Sequence, residues 1–384
     1  MEKEVFEDVK NNQEQAYINS KCPNCGSKLA FVPGSNKVKC ESCGSDFEIK
    51  SLGQGKLDDQ EKDYFATLDK LNKTHKSVKQ RTIKCDNCGA NFILNDKTIS
   101  TKCPYCSSNR VVVEEKQEEL IKIDGVVPFV LDKSQVKEKI QLWMKKRKMA
   151  PFGWKKKVNS IEFNGFYIPY YTYDSSTYST YSAYRGDYYY VTVRTKNGTH
   201  QERRVKWTFV RGNLDEKFDD VLVSGVPTRV DKHIYRISSF DFKYMEKYQE
   251  SFMLGYYSER PTLSLRDGFE NAKKQMYDRI RQLCVSRIGG DTYKDLKVDS
   301  RFEDVTFKQI MAPIYSGSYQ YQNKTKYFVC NGQTGQVSGD CPKSVIKISI
   351  LVILILAIIA LLFYFILKDD NPSYYYDCLK LFFK

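Results

Sequence analysis

The sequence predicts an α+β protein with one apolar helix near its C-terminal end. Three observations support this prediction: four Cys-x-x-Cys pairs near the start, alternating aromatic and polar residues in the middle, and an uncharged apolar run at 348–367. The chain has 384 residues, of which 41% are apolar and 28% are charged. This composition is typical of a globular protein and excludes wholesale disorder.

Positive charge is concentrated in the middle of the chain. Lysine and arginine number 61 and acidic residues 47, so the net charge is +14. Residues 1–120 carry 19 charges of each sign, whereas residues 121–340 carry 37 basic and 25 acidic side chains. A basic tail or arm is therefore excluded as the source of the excess. The presence of only 3 histidines disfavours histidine-based catalysis and His-rich metal sites.

Eight of the 12 cysteines form two copies of one metal-ligand pattern. Residues 21–50 contain two Cys-x-x-Cys pairs separated by 14 residues, and residues 84–113 repeat this spacing. The predicted ligands are Cys22, Cys25, Cys40 and Cys43 in the first copy and Cys85, Cys88, Cys103 and Cys106 in the second. This pattern predicts two zinc ribbons, each with a tetrahedral zinc ion. Because all four ligands are thiolates, both ions are expected to be structural.

A redox role is the alternative interpretation of these cysteines. Thioredoxin-like chemistry uses one Cys-x-x-Cys pair in a βαβ context, whereas this chain has four pairs in two repeats. The polar N-terminus, residues 1–20, has no secretory signal pattern, which favours a reducing compartment and metal-bound thiolates. Gly26, Gly44 and Gly89 follow the second cysteine of three pairs, where we expect a positive φ.

The remaining sequence up to residue 342 divides into a linker and a larger domain. Residues 51–83 are polar and charged, and Tyr64, Leu68 and Leu71 lie at helical spacing within them. This pattern predicts a helical linker between the two ribbons. Residues 121–342 are predicted to form an α+β domain rich in tyrosine.

Two helices are predicted inside this domain. The first runs from about 133 to 148 and is capped by Asp132, and the second runs from about 267 to 288 and ends at Gly289. Their apolar faces are predicted to comprise Val136, Ile140, Trp143 and Met144 in the first, and Phe269, Ala272, Met276, Ile280 and Leu283 in the second. Each helix precedes strands that carry a Pro-x-Tyr motif, which suggests a duplicated helix-plus-strands module.

The apolar run at 348–367 predicts a transmembrane helix. Its 20 residues match a hydrocarbon core of roughly 30 Å at a rise of about 1.5 Å per residue. A buried core helix is the alternative, but a soluble helix of this length would show a polar stripe. We place the helix at 346–367 and a short tail at 368–384. Since the N-terminus lacks a signal sequence, we expect a single-pass protein of the cytoplasmic membrane with its N-terminal bulk in the cytosol.

The densest positive patch lies at 133–157. It has ten basic residues and one acidic residue. Such a face on an amphipathic helix is typical of contact with anionic lipid or an acidic partner. The candidate contact residues are Lys145, Lys146, Arg147, Lys148, Lys155, Lys156 and Lys157. The alternative interpretation is the solvated face of a helix that packs its apolar stripe.

Catalytic motifs are missing from the sequence. It contains no phosphate loop, no Gly-x-Ser-x-Gly and no His-Glu-x-x-His. Asp219 and Asp220 precede an apolar strand and are interpreted as a strand-start turn rather than a metal site. His75, His200 and His233 have no obvious partner in the sequence. We therefore predict a protein that is not an enzyme and has no small-molecule substrate.

Four motifs follow the ribbons in a fixed order: YIPYYTYD at 167–174, YRGDYY at 184–189, FDDVLV at 218–223 and NGQTG at 331–335. Together with the ribbons they resemble the bacterial family of TFIIB-type zinc-ribbon membrane proteins, sometimes labelled phage replication or primosomal-like. The resemblance covers most of residues 20–367. It implies a membrane partner of phage-shock protein A in envelope stress. The family tends to have Gly-Glu-Arg-Pro where this chain has GDCP at 339–342.

These features predict a membrane-anchored zinc-ribbon adaptor that recruits protein partners to the cytoplasmic membrane. The alternative is a membrane-tethered nucleic-acid-binding protein of a replication or transcription type. Each ribbon carries only +2, without a basic stripe between exposed aromatic residues, so protein docking is favoured over nucleic-acid binding. An enzyme in the tyrosine-rich domain is a further alternative.

Overall fold

The computed structural model describes most of the chain between residues 21 and 368. The described residues are 21–49, 61–73, 77–86, 89–93, 103, 111–119, 121–154, 163–195, 198–226, 231–259, 261–322 and 324–368. They contain five α-helices: α1 (Tyr64–Lys73), α2 (Lys133–Lys145), α3 (Asp231–Ile237), α4 (Leu265–Ile288) and α5 (Val345–Lys368). Helices and sheets occur together, which confirms the predicted α+β class.

Fifteen strands form three sheets in the described part of the chain. They are β1 (Leu29–Val32), β2 (Lys37–Cys40), β3 (Asp46–Glu48), β4 (Lys62–Asp63), β5 (Ser77–Cys85), β6 (Asn91–Ile93), β7 (Val111–Glu119), β8 (Gly125–Val126), β9 (Phe163–Thr195), β10 (Gly198–Ser224), β11 (Glu246–Lys247), β12 (Tyr257–Ser258), β13 (Thr292–Tyr321), β14 (Lys324–Asn331) and β15 (Val337–Gly339). β1 to β3 form one sheet, β5 to β7 form a second, and the others form a central sheet of nine strands.

The central sheet is built around three long strands. β9 has 33 residues, β10 has 27 and β13 has 30. They pair antiparallel in the order β10-β9-β13, and β14 and β15 continue the sheet beyond β13. Strands in globular proteins usually have about 3–10 residues, so these three extend well beyond one compact core.

Burial divides the long strands into two parts. Residues 166–175 of β9 and 307–317 of β13 are buried on both faces. Residues 178–194, 198–217 and 292–303 instead present one largely exposed face, and we call these three ranges the projecting sheet. The remaining part of the central sheet, with the helices that cover it, is called the body.

Helices cover both faces of the body. Since successive residues of a strand point to opposite faces, even-numbered and odd-numbered residues of β9 belong to different cores. On one face α4 packs Phe269 against Tyr173, with ring centroids 5.5 Å apart. On the other face α3 contributes Ile234 to the cluster that contains Tyr170. The long strands therefore supply buried side chains to both faces of the body.

The two helices predicted in the large domain are confirmed. Asp132 caps α2 by accepting the Gln135 N–H, while the Gln135 side chain accepts the Asp132 N–H. α4 begins after Ser264, slightly earlier than predicted, and ends at Gly289 with φ of 62°. The predicted apolar faces are buried, apart from half-buried Leu283.

Part of the predicted linker packs into the body. β4 pairs with β13, bringing Asp63 opposite Thr306. Tyr64 at the start of α1 is 3% exposed, and its ring centroid lies 4.5 Å from that of Phe269. The segment between the two cysteine regions is therefore attached to the same core as α4.

The first cysteine segment, residues 21–49, folds as the β1-β2-β3 sheet and docks on the body. The Phe31 N–H donates to the Leu254 carbonyl at 2.9 Å, and the Gly34 N–H donates to the Phe129 carbonyl at 2.9 Å. The Phe31 ring centroid lies 5.4 Å from that of Phe252. This segment therefore shares a hydrophobic core with the body.

Candidate metal centre and helix-attached base

The first two cysteine pairs are held by backbone turns of the same design. The Cys22 N–H donates to the Ser27 carbonyl at 2.7 Å, and the Gly26 N–H donates to the Cys22 carbonyl at 2.8 Å. The turn that begins at Cys40 has the same two bonds, at 2.9 and 3.0 Å. Gly26 and Gly44 have φ of 70° and 75°, as predicted for the residue after each pair. Each turn therefore brings two sulfur atoms to one side.

The two turns converge on one point. Cys22 Sγ lies 3.6 Å from Cys43 Sγ, and Cys25 Sγ lies 3.4 Å from Cys40 Sγ. All four sulfur atoms lie within 4.8 Å of one another, and none is in a disulfide. Tetrahedral zinc with Zn–S bonds of about 2.3 Å requires sulfur atoms about 3.8 Å apart. The four cysteines therefore fit a metal ion, and an all-sulfur set is consistent with zinc.

The four thiols differ in their environments. Burial raises the pKa of Cys22 to about 11. Hydrogen bonds from the side chain and backbone of Ser45 lower the pKa of Cys43 to about 6, and Ser27 lowers the pKa of Cys25. Metal binding requires thiolates, so a cation at this site must displace the proton of Cys22 in particular.

The second predicted cysteine set is described in part. β5 ends at Cys85, and the Gly89 N–H donates to its carbonyl at 2.8 Å, which repeats the turn design of the first segment. Gly89 has φ of 81°. Cys85 and Cys103 are both buried. Cys88 and Cys106 lie outside the described residues, so the second zinc site stays a prediction.

A carboxylate cluster lies where the body meets the projecting sheet. Carboxylate oxygens of Asp174, Asp219 and Asp220 lie within 4.8 Å of one another. Asp219 and Asp220 form a bulge inside β10, between Phe218 and Val221, rather than the predicted turn at the start of a strand. The Asp220 N–H, at a residue with φ of 50°, donates to Asp174 Oδ1 at 2.6 Å.

A buried lysine supplies the positive charge of this cluster. Lys308 Nζ lies 3.0 Å from Glu61 Oε1 and 3.5 Å from Asp220 Oδ1. Burial and the neighbouring Glu61 raise the pKa of Asp174 to about 7, so this carboxyl is partly protonated near neutrality. Because Lys308 already provides a cation, we interpret the cluster as an internal ion network.

The NGQTG motif organises the connection between β14 and β15. Asn331 is fully buried, and its Nδ2 donates to the Ile237 carbonyl at the end of α3 at 2.7 Å. Its Oδ1 accepts the N–H groups of Gln333 and Thr334 at 2.8 and 2.9 Å. Gly335, with φ of 75°, completes the turn. The motif therefore has a structural role that joins α3 to the sheet.

One histidine has partners that the sequence did not reveal. His233 is buried on α3, with Nδ1 3.0 Å from Ser338 Oγ and Nε2 3.2 Å from Asp340 Oδ1. Burial lowers its pKa. Lys232 also contacts Asp340, at 2.8 Å. His200 is exposed, and His75 lies outside the described residues.

The start of α5 is attached to the segment that follows α2. The Ser344 N–H donates to the Met149 carbonyl at 2.8 Å. Lys347 Nζ donates to the carbonyls of Lys148 and Ala150 at 3.2 and 2.8 Å. We call residues 145–154 together with 344–347 the base. The base is a polar attachment between the body and the apolar helix.

The predicted basic cluster belongs to the base. Its described members, all exposed, are Lys145, Lys146, Arg147 and Lys148. The Arg147 guanidinium lies 4.9 Å from the centroid of the Trp143 ring. Trp143 belongs to the apolar face with which α2 packs against the body. Lys155, Lys156 and Lys157 lie outside the described residues. The four described cations therefore lie exposed at the end of a helix whose apolar face is packed, and that end adjoins α5.

α5 is long and apolar enough to cross a membrane. The qualifying stretch is Val345–Phe365, of 21 residues, and the body buries none of it. It is the one helix with this property among the residues described above. This agrees with the predicted span at 346–367.

Comparison with known proteins identifies a distant relative that matches most of the chain. The chain is 24% identical over 343 residues to "Uncharacterized protein YdjG" of Bacillus subtilis (strain 168), and the match covers 85% of this chain and 91% of that protein. No family model matches the chain. No solved structure matches it.

Proposed function

We propose that this chain is a membrane-anchored adaptor that recruits protein partners to the cytoplasmic membrane. Two structural zinc ions stabilise its N-terminal segments, one bound by the first set of four cysteines and one by the second. α5 spans the bilayer once, and the body lies in the cytosol. The resemblance to TFIIB-type zinc-ribbon membrane proteins supports a role in envelope stress.

The separation of the projecting sheet from α5 is the observation that carries this proposal. β13 has 30 residues, and at about 3.3 Å per residue it is on the order of 100 Å long. Tyr319, near one end, lies against Trp154 of the base, with ring centroids 6.1 Å apart. Thr292, at the other end, pairs with Gly186 in the projecting sheet. A protein anchored at one end thus presents a surface far from the bilayer.

The projecting sheet exposes aromatic rings on the face opposite α4. Tyr184 pairs with Phe209, and Gly186 pairs with Trp207, so these rings share one face. Phe209 is 57% exposed and Trp207 is 39% exposed. Lys294 Nζ lies 4.4 Å from the Trp207 ring centroid. A contiguous exposed aromatic patch is typical of protein-interaction surfaces.

The same face favours a second candidate function, membrane-tethered binding of single-stranded nucleic acid. Besides the contact of Lys294, the Arg203 guanidinium lies 4.5 Å from the centroid of the Tyr188 ring. Exposed aromatic rings beside cations are typical of protein surfaces on which the nucleobases of single-stranded nucleic acid stack. The zinc-bearing segments do not distinguish the two functions, because both classes of protein use structural zinc.

The test of the proposed function compares partner recovery from membranes. Full-length protein with Trp207→Ser and Phe209→Ser is purified by affinity from cross-linked membranes, beside the unchanged protein. We expect a defined set of proteins to elute with the unchanged protein and to be lost from the double variant. Tyr235→Ser is the matched control, because Tyr235 is 72% exposed on α3 and lies outside the projecting sheet.

Two further measurements separate the alternatives. Recovered nucleic acid that falls steeply with salt and depends on Trp207 and Phe209 would favour the second function over the adaptor. Alkaline carbonate should leave the full-length protein in the membrane pellet, whereas removal of residues 346–384 should release it. Release of the full-length protein would contradict the anchor.

A further inference from the structure

We propose that the base is a lipid-binding surface, in which Phe152 lies in the bilayer interface and the cations of Lys145, Lys146, Arg147 and Lys148 bind the phosphates of anionic phospholipids. This inference rests on the membrane anchor of the proposed function. It assigns to that anchor a second contact with the bilayer, made by a segment almost 200 residues earlier in the chain.

Lys347 sets the depth of the base. It is the last charged residue before 20 uncharged residues at 348–367. A lysine at the end of a spanning helix extends its ammonium group to the polar interface. Here the ammonium lies on the carbonyls of Lys148 and Ala150, at 3.2 and 2.8 Å. When α5 spans the bilayer, these two residues therefore lie at the level of the lipid headgroups.

Phe152 is the apolar element of this surface. Its side chain is 83% exposed, and Lys347 Nζ lies 4.2 Å from the centroid of its ring. Met149, three residues earlier, is 41% exposed. Segments that lie in the membrane interface bury Phe, Trp and Leu side chains at the boundary between headgroups and acyl chains. The exposure of Phe152 next to the first turn of α5 fits this environment.

The four consecutive cations are held beside Phe152 by a compact backbone. The Arg147 N–H donates to the Met144 carbonyl at 3.0 Å, and the Ala150 N–H donates to the Arg147 carbonyl at 3.2 Å. A cation near an anionic surface is attracted only within a Debye length of about 8–10 Å. The Lys148 carbonyl contacts Lys347, and the other three cations directly precede Lys148, within one helical turn of about 5.4 Å. The backbone of the cluster therefore lies within that range of the headgroups.

The position of the cluster favours lipid over an acidic protein as its occupant. A protein partner would have to enter between the cluster and the bilayer to which Lys347 attaches it. Lipid headgroups occupy that place as soon as α5 is inserted. The positive charge of four side chains then matches the negative charge of the headgroup layer.

Photocrosslinking of the full-length protein in lipid nanodiscs tests the proposal. Phe152 is replaced by p-benzoylphenylalanine, and lipid products are measured in discs of phosphatidylcholine alone and with added phosphatidylglycerol. We expect lipid products at position 152, with a yield at least about threefold higher in the anionic discs. Replacing Phe209 in the projecting sheet is the negative control, and replacing Phe363 in α5 reports insertion of the helix.

Charge variants test the cationic cluster. Lys145, Lys146, Arg147 and Lys148 changed together to Gln should abolish the preference for anionic discs, as should high salt. The matched control neutralises four exposed cations of the projecting sheet: Lys206, Arg211, Lys297 and Arg301. This control should leave the preference for anionic discs unchanged.

Four results would overturn the lipid surface. Lipid products at Phe363 without products at position 152 would show an intact anchor and a base that does not touch lipid. Equal yields in neutral and anionic discs would show that the cations do not select headgroups. A protein product replacing the lipid product at position 152 in native membranes would assign the cluster to an acidic partner. Absence of products at both positions would reject the anchor and the lipid surface together.

Discussion

The ammonium group of Lys347 donates a hydrogen bond of 2.8 Å to the carbonyl of Ala150, which lies 197 positions earlier in the chain. This bond joins the first turn of the apolar helix α5 to the segment after α2. A second bond, to the Lys148 carbonyl at 3.2 Å, makes the attachment bidentate. The body and the apolar helix are thus connected by side-chain contacts as well as by the chain itself.

Lys347→Met should loosen residues 145–154 without affecting the insertion of α5. The variant keeps the length of the side chain and removes its charged donor, and loss of such bonds at a half-exposed site costs about 1 kcal/mol. We expect amide hydrogen exchange in 145–154 to rise about fivefold in the full-length protein. Lys343→Met, at an exposed lysine, is the control. Unchanged exchange would show that Lys347 does not hold the segment.

Cys40→Ser should remove one zinc ion. Cys40 is fully buried and supplies one of the four converging sulfur atoms, so its loss leaves three thiolate ligands. Elemental analysis of the purified full-length protein should give about two zinc ions per chain before the change and about one after it. Cys341→Ser is the control, because this half-buried cysteine belongs to neither set. A folded, metal-free unchanged protein would contradict the site.

Asn331→Ala should destabilise the body by about 2–4 kcal/mol, because it leaves buried backbone groups of α3 and of the NGQTG turn without partners. Urea unfolding in detergent measures the change in free energy. Asn331→Asp keeps the acceptor for the N–H groups of Gln333 and Thr334 but loses the Nδ2 donor to the carbonyls of Ile237 and Ser239. We expect a loss at least as large for this variant at neutral pH, because its carboxylate is buried against these carbonyls. Equal stability of the alanine variant and the unchanged protein would refute the structural role.

Asp174 should make stability fall as pH rises from about 4 to about 7. Its pKa is raised from the ordinary 3.8 to about 7 in the fold, so the folded state holds the proton more tightly in this window. The contribution of Asp174 to the free energy of unfolding is fully present below the pKa of this group in the unfolded chain. It is lost as the pH rises through the pKa of the group in the folded protein, and the loss is at most about 4 kcal/mol. Glu61, whose pKa is lowered, opposes the effect.

Asp174→Asn tests this dependence, because the amide mimics the protonated carboxyl and keeps the acceptor for the Asp220 N–H. The variant should gain stability relative to the unchanged protein at pH 8 and little at pH 5. Unfolding at both pH values measures the difference. The charged groups that remain around the position are Glu61, Asp219, Asp220 and Lys308. A parallel pH profile for the two proteins would rule out Asp174 as the titrating group.

Features that depend on short stretches of chain were predictable. The turns at Cys22 and Cys40 follow from the Cys-x-x-Cys-Gly pattern, since each is closed by bonds within six residues. The Asp132 cap of α2 was predictable because its side chain bonds to the N–H of Gln135, only three residues later in the chain. The apolar run at 348–367 determines α5 by length and composition alone.

Features that depend on strand register were not predictable. Asp174 meets Asp220 because a bulge in β10 shifts the strand pairing between Phe218 and Val221. The periodicity of the sequence does not indicate where such a shift in register occurs. The polar composition around Tyr64 predicts a helical linker, but it does not reveal that the Tyr64 ring packs against Phe269 of α4.

By itself, the sequence determined the cysteine turns, the amphipathic helices and the apolar helix, because short-range hydrogen bonds and side-chain periodicity specify each of them. Only the tertiary structure decided that Lys347 meets Ala150 and that Lys308 is enclosed by carboxylates from distant parts of the chain, Glu61 and Asp220. These contacts require the long strands to pair in one register, and that register results from burying both faces of the sheet at once.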